Sequence, residues 1–109
     1  MDSRVEEILV QLKQRLWSRL AADMVSVTCF GSYARGEETA DSDLDVLVVV
    51  RQRDKAISDF IREQVYAVMW SHDFDPVLSV KIFSEVEWNQ LARLKSSFYE
   101  NLQKEGVAV

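Results

Sequence analysis

The chain has 109 residues, 48% of them apolar and 28% charged, with three Gly, one Pro and one Cys. That length predicts a single domain over 1–109, and the composition excludes a disordered or fibrous chain. Thirteen Lys and Arg against 18 Asp and Glu leave a net charge of −5, a field that repels phosphate backbones and disfavours nucleic acid as a partner.

Cys29 has no partner for an intrachain disulfide, which fits a reducing compartment. The opening Met1-Asp2-Ser3-Arg4-Val5-Glu6-Glu7 is too charged for a signal peptide. No apolar run, Val46 to Val50 included, comes near the length of a membrane span. A cytoplasmic domain without membrane contact is expected. The one dense basic group, Arg51, Arg53 and Lys55, reads as solvated loop.

In chain order, Ser3 and Glu6 form a capping-box pattern, followed by apolar Val5, Ile8, Leu9, Leu12, Leu16 and Leu20. The spacing predicts an amphipathic helix over 4–22. Val25 to Phe30 predicts a short buried strand ending at Gly31. Residues 31–42 are polar and small and predict a loop, with a helical turn starting at Ser32. Leu44 to Val50 predicts a second strand, apolar on both parities beyond Asp45 and therefore covered on both faces.

Asp54 is placed to cap a helix carrying Ile57, Phe60, Ile61, Val65, Val68 and Met69. Ser71 to Pro76 predicts a turn, and Val77 to Phe83 a third strand. Leu78, Val80 and Ile82 lie on one parity of that strand, Ser79 and Lys81 on the other. Ser84 and Glu87 form another capping box. They open a final helix with Trp88, Leu91, Leu94, Phe98 and Leu102, closed by Gly106 as its C′ residue. The predicted fold class is α/β: a small mixed sheet of three strands or slightly more, with helices packed mainly on one face.

The chemistry gathers in residues 30–46. Gly31, directly after a buried strand, lets a ligand approach the backbone closely. Ser32 offers a hydroxyl and free N–H groups to a phosphate, and Arg35, one turn on, offers a fixed positive charge. Asp43 and Asp45, two apart at the head of a strand, project from one face. Like charges held about 5 to 7 Å apart repel unless a cation sits between them. Mg²⁺ suits that position, since it binds one or two carboxylates together with substrate phosphates. Asp-x-Asp alone is ordinary turn composition; the apolar strand after it and the phosphate-type loop before it tip the balance.

Gly31-Ser32, ten residues, then Asp43-Leu44-Asp45 resembles the signature of the nucleotidyltransferase superfamily that includes DNA polymerase beta. The fuller string Gly31-Ser32-Tyr33-Ala34-Arg35-Gly36, then Asp41-Ser42-Asp43-Leu44-Asp45, is similar to its minimal nucleotidyltransferase branch. The closing Phe98-Tyr99-Glu100-Asn101, then Lys104-Glu105-Gly106-Val107, resembles the ending of those small proteins. The resemblance implies a polymerase-beta-like nucleotidyltransferase fold. It also implies that Gly31, Ser32 and Arg35 bind the triphosphate of ATP while Asp43 and Asp45 bind Mg²⁺.

The family commonly adds a third carboxylate. Asp75, on the parity of Ser79 and Lys81, is the first candidate for that catalytic and metal-binding role. Asp73 shares the parity but lies further into the turn, and Pro76 shows that the strand has barely begun. Ser79 is the alternative candidate for that slot, and with it only two carboxylates remain.

The activity implied by the resemblance is Mg²⁺-dependent transfer of AMP from ATP to a protein. The implied acceptor is a tyrosine of an all-helical HEPN ribonuclease toxin, with this chain as the antitoxin. The alternative is a non-catalytic module that binds nucleotide or partner and neutralises a helical partner by complex formation. An RNA-directed enzyme is disfavoured by the acidic balance, and an aminoglycoside-modifying enzyme needs a substrate domain that 109 residues do not supply.

His72 reads as a surface histidine, Cys29 as a small core hydrophobe and Lys81 as a solvated lysine. Trp17, Trp70 and Trp88 read as packing residues. Trp17 and Trp88 exceed what so small a core covers, so self-association or a partner interface is expected.

Overall fold

A computed structural model describes residues 1–109. Helix α1 (Ser3–Leu20) buries Val5, Ile8, Leu9, Leu12, Leu16 and Leu20, the set its spacing predicts. Its cap is one residue earlier than expected: the Asp2 carboxylate accepts the Arg4 N–H at 2.7 Å. Asp serves as N-cap as well as Ser does, so the chain enters the helix one step sooner. Strand β1 (Met24–Phe30) leads directly into the short helix α2 (Gly31–Arg35). Strand β2 (Leu44–Val50), helix α3 (Lys55–Ser71) and strand β3 (Leu78–Ser84) follow, with Asp54 capping α3 through the Ile57 N–H at 2.8 Å.

The C-terminal part departs from the single helix expected there. It is two helices, α4 (Glu85–Arg93) and α5 (Ser97–Glu105). Lys95 takes a left-handed φ of 50°, and Ser96 starts the second helix by accepting the Tyr99 N–H at 3.1 Å. Uninterrupted apolar spacing across 88–102 masks this break. Gly106 also differs from expectation. Its φ is −63° with ψ 140°, so it is no left-handed cap; an added β-carbon would meet Leu102 O at 2.5 Å and Thr28 Cγ2 at 2.9 Å. Space, not φ, requires glycine there. A two-residue strand β4 (Val107–Ala108), too short to read from sequence, then pairs with Thr28 and Cys29.

The sheet has the order β3-β2-β1-β4. β1 runs antiparallel to β2 and to β4, while β2 and β3 are parallel with α3 as their crossover. A core of 18 buried residues fills the face under α1 and α3. On the opposite face Leu47, Val49 and Leu102 are sealed by Phe30, Phe83, Trp88 and Phe98. Helices thus lie on both faces, with the larger core on one, and Val46 to Val50 are each at most 1% exposed. Of the tryptophans, Trp17 packs on the larger core and Trp88 on the aromatic cluster; the exposed one is Trp70, stacked edge-on with Tyr66 and Phe74.

Candidate active site

The end of β1 and the beginnings of β2 and β3 meet at one edge of the fold. Phe30 lies opposite Asp45 across the antiparallel pair, and Ser79 lies opposite Asp45 across the parallel pair. The Leu44 N–H donates to Val77 O at 2.8 Å and fixes where β2 begins. Asp45 shares the parity of Leu47 and Val49, so it faces the α4–α5 side together with Ser79 and Lys81. Just ahead of the strand, a turn closed by Ser42 N–H to Thr39 O at 3.1 Å, with Ser42 Oγ accepting the Thr39 N–H at 2.9 Å, delivers Asp43.

Gly31 is the contact point. Its φ is 75°, and a β-carbon there would run into Asp45 Oδ2, with Asp45 Cγ 3.1 Å and Cβ 3.3 Å away. Only a residue without a side chain lets the carboxylate sit against this backbone. Ser32 follows, half-buried, and α2 ends at Gly36, whose φ of 72° turns the chain away.

The electrostatics are those of a crowded anionic site. Burial, and next the Asp43 carboxylate, raise Asp45 above the ordinary carboxylate range, while Lys81 and Arg35 pull it back. Burial and the Asp45 charge push the Cys29 thiol up to about 11, so Cys29 is an inert core thiol as expected. Arg35 is shared between two acids, Glu37 at 3.2 Å and Glu105 at 3.3 Å, and the second pair ties α2 to α5.

The residues expected at the site divide. Gly31, Ser32, Arg35, Asp43 and Asp45 come together. Asp75 is not brought to the pair: it precedes a cis bond to Pro76, four residues ahead of the Ser79 that pairs with Asp45. Its carbonyl accepts from the Arg4 guanidinium, and its charge acts on the Tyr33 hydroxyl rather than on Asp45. Asp73, in the preceding turn, has a left-handed φ of 56° and is exposed. No group of three His, Cys, Asp or Glu side chains is placed so that it could hold a metal ion. His72 is half-buried and bonds Gln11 at 2.8 Å, a link between α3 and α1 away from the carboxylates.

Beside Gly31 lies a cavity of about 230 Å³ that the sequence reading missed, lined by Phe30, Gly31, Arg35, Phe98, Asn101, Leu102 and Glu105. The signal was present, since residues 98, 101, 102 and 105 share one helical face. What was hidden is the break before Ser97 that aims this face at Gly31.

A proposed protein adenylyltransferase of Methanocaldococcus jannaschii is 28% identical over 94% of this chain and 96% of its own length. A second one from the same organism is 32% identical over 61% of this chain, which spans half of that relative. The crystal structure of a toxin–antitoxin with AMP-PNP superposes with a TM-score of 0.52 at 18% identity, over 89% of this chain and 68% of the other. At that identity the likeness is one of fold. The family model for the nucleotidyltransferase domain matches residues 5–105, and the chain belongs to that family, in its minimal form.

Proposed function

We propose that the chain transfers AMP from ATP to a tyrosine of a HEPN ribonuclease toxin, with Mg²⁺, and acts in the cytoplasm as the antitoxin of that pair. The observation that carries the reading is the packing of the Asp45 carboxylate on Gly31, which joins a carboxylate pair to a strand–glycine–serine turn. The adenylyltransferase relatives and the fold shared with a toxin–antitoxin support it, and no helix is long and apolar enough to cross a membrane.

Asp43 and Asp45 fit Mg²⁺. Both offer hard oxygens from neighbouring positions, and the burial and repulsion that raise Asp45 are costs that a cation relieves. Two carboxylates suffice where substrate phosphates complete the shell. Bound there, the ion would neutralise charge on the α-phosphate and the departing pyrophosphate. Gly31 lets the triphosphate approach the backbone, and Ser32 donates its hydroxyl to a phosphate oxygen. Arg35 exchanges Glu37 for phosphate and keeps Glu105, which holds ATP at the turn. The tyrosyl hydroxyl gives up its proton to solvent water as its oxygen bonds the α-phosphorus and the bond to the bridging oxygen breaks, and pyrophosphate leaves with that electron pair.

The second reading is a non-catalytic module that neutralises the partner by complex formation. It is favoured by Ser79, which stands beside Asp45 where a third carboxylate would complete the set. One assay pair separates the two. Labelled ATP, Mg²⁺ and the partner are mixed with wild type and with the Asp43→Asn/Asp45→Asn double variant, and both are tested for protection of cells. Transfer and protection lost together, with the complex intact, uphold the enzyme. Protection retained without transfer leaves the binding module.

A further inference from the structure

We propose that the cavity between Gly31 and α5 seats the base of the nucleotide, and that Asn101 selects a base with an amino group next to a ring nitrogen, as in adenine. This rests on the nucleotidyltransferase reading and adds a specificity residue on α5. Gly31 makes the connection, with Asp45 against it and the cavity bounded by it. A nucleotide with its phosphates along Gly31-Ser32 therefore turns its remaining part toward the cavity.

Size decides which part enters. At about 230 Å³ the cavity lies below the roughly 300–1,000 Å³ usual for a whole ligand. It holds a ring system and leaves the phosphates outside, at the carboxylates. Phe30 and Phe98 meet edge to face with centroids 5.5 Å apart, and both are half-buried, so ring surface remains for a base to pack on.

Asn101 and Glu105 stand one turn apart on α5, on the cavity wall. A carboxamide offers a donor and an acceptor side by side, the complement of the adenine N7 and amino edge. Glu105 only accepts. Its Oε2 is engaged by Arg35 at 3.3 Å, which leaves Oε1 for an amino N–H. A base with a carbonyl oxygen in that place would meet a carboxylate and be rejected.

The test is calorimetry on the full chain with Mg²⁺ and ATP, GTP or inorganic tripolyphosphate, for wild type, Asn101→Ala and Asp45→Asn. Asn101 is exposed on a helix, so the alanine variant keeps its fold, checked by circular dichroism. ATP is expected to bind about tenfold or more tightly than GTP or tripolyphosphate, and Asn101→Ala to erase that preference while tripolyphosphate binding stays unchanged. Equal binding of ATP and tripolyphosphate, or a preference that survives Asn101→Ala, overturns the base assignment. In that case tripolyphosphate binding that Asp45→Asn abolishes still upholds the phosphate site. If tripolyphosphate does not bind at all, the nucleotidyltransferase reading falls, and the base seat with it.

Discussion

The Asp45 carboxylate rests on the α-carbon of Gly31, at a φ of 75° that side chains rarely adopt. Gly31→Ala drives a methyl group into that carboxylate and strains the backbone. The backbone alone costs about 1–2 kcal/mol, and the displaced Asp45 adds a loss of nucleotide binding. Urea unfolding should show the first effect and calorimetry with ATP the second. Ser32→Ala should weaken binding with no comparable loss of stability. A Gly31→Ala protein with wild-type stability and affinity would contradict the contact.

Asp45 is held above the ordinary carboxylate range, first by burial and then by Asp43. The folded state therefore binds this proton more tightly than the unfolded chain does, and stability falls as pH rises through the window between the two values. Asp45→Asn removes the cost. Its melting temperature should exceed that of wild type at pH 7, and the gap should close as pH falls toward the carboxylate range. Mg²⁺ should raise the wild-type melting temperature and leave the Asn variant unmoved. A pH-independent gap would assign the effect to packing instead.

Asp45 and Ser79 face each other on adjacent parallel strands, so Ser79→Asp places a third carboxylate in register. Without a divalent cation, this like charge should cost about 0.5–1 kcal/mol. With Mg²⁺ or Mn²⁺ the thermal shift should exceed that of wild type. Asp75→Asn should leave the cation response unchanged, because Asp75 lies four residues ahead of the pairing position. Loss of the response in Asp75→Asn would bring Asp75 into the site after all.

The legible parts of the molecule were those written in local pattern. Helical spacing marked the buried face of α1, and the unbroken apolar run Val46–Val50 marked a strand covered on both sides. Gly31, Ser32, Asp43 and Asp45 were legible because a strand end, a glycine and two carboxylates lie within 15 residues. Asp75 was assigned a face by strand parity, but β3 begins only at Leu78, beyond the cis bond to Pro76, so that parity does not extend to Asp75; where β3 starts is set by its register with β2, a tertiary property. The cavity on α5 depended on the break at Lys95 and Ser96, where a left-handed residue and a new cap override continuous apolar spacing.

Glu87 receives the Ser84 N–H at 2.9 Å and two Arg53 hydrogen bonds at 2.9 and 2.8 Å. The Arg53 bonds come first among the causes that hold its carboxyl down at about 2. A depressed folded value contributes stability that is present above the unfolded value and lost as pH falls through the folded one. The Glu87 contribution should therefore fade from the ordinary carboxylate range down to about pH 2. Because the pair is substantially exposed, Glu87→Gln should cost only about 1 kcal/mol at pH 7. Urea midpoints across that window check this, and a variant that tracks wild type in parallel at every pH would refute the titration.

Gly106 and Gly36 need glycine for opposite reasons, and alanine at each separates them. Gly36 has φ 72° with nothing within 4 Å of an added β-carbon, so Gly36→Ala pays backbone strain alone, about 1–2 kcal/mol. Gly106 has an ordinary φ, but its added methyl would strike Leu102 O and Thr28 Cγ2. Overpacking of that kind costs about 1–3 kcal/mol and pushes α5 away from β1. Loosening α5 moves Phe98, Asn101 and Glu105 together, so Gly106→Ala should also open the cavity and weaken the Arg35–Glu105 tie. Hydrogen exchange should then quicken across α5 and β4 in Gly106→Ala and stay at wild-type rates there in Gly36→Ala. Equal exchange in the two variants would show that α5 does not depend on the contact with Thr28.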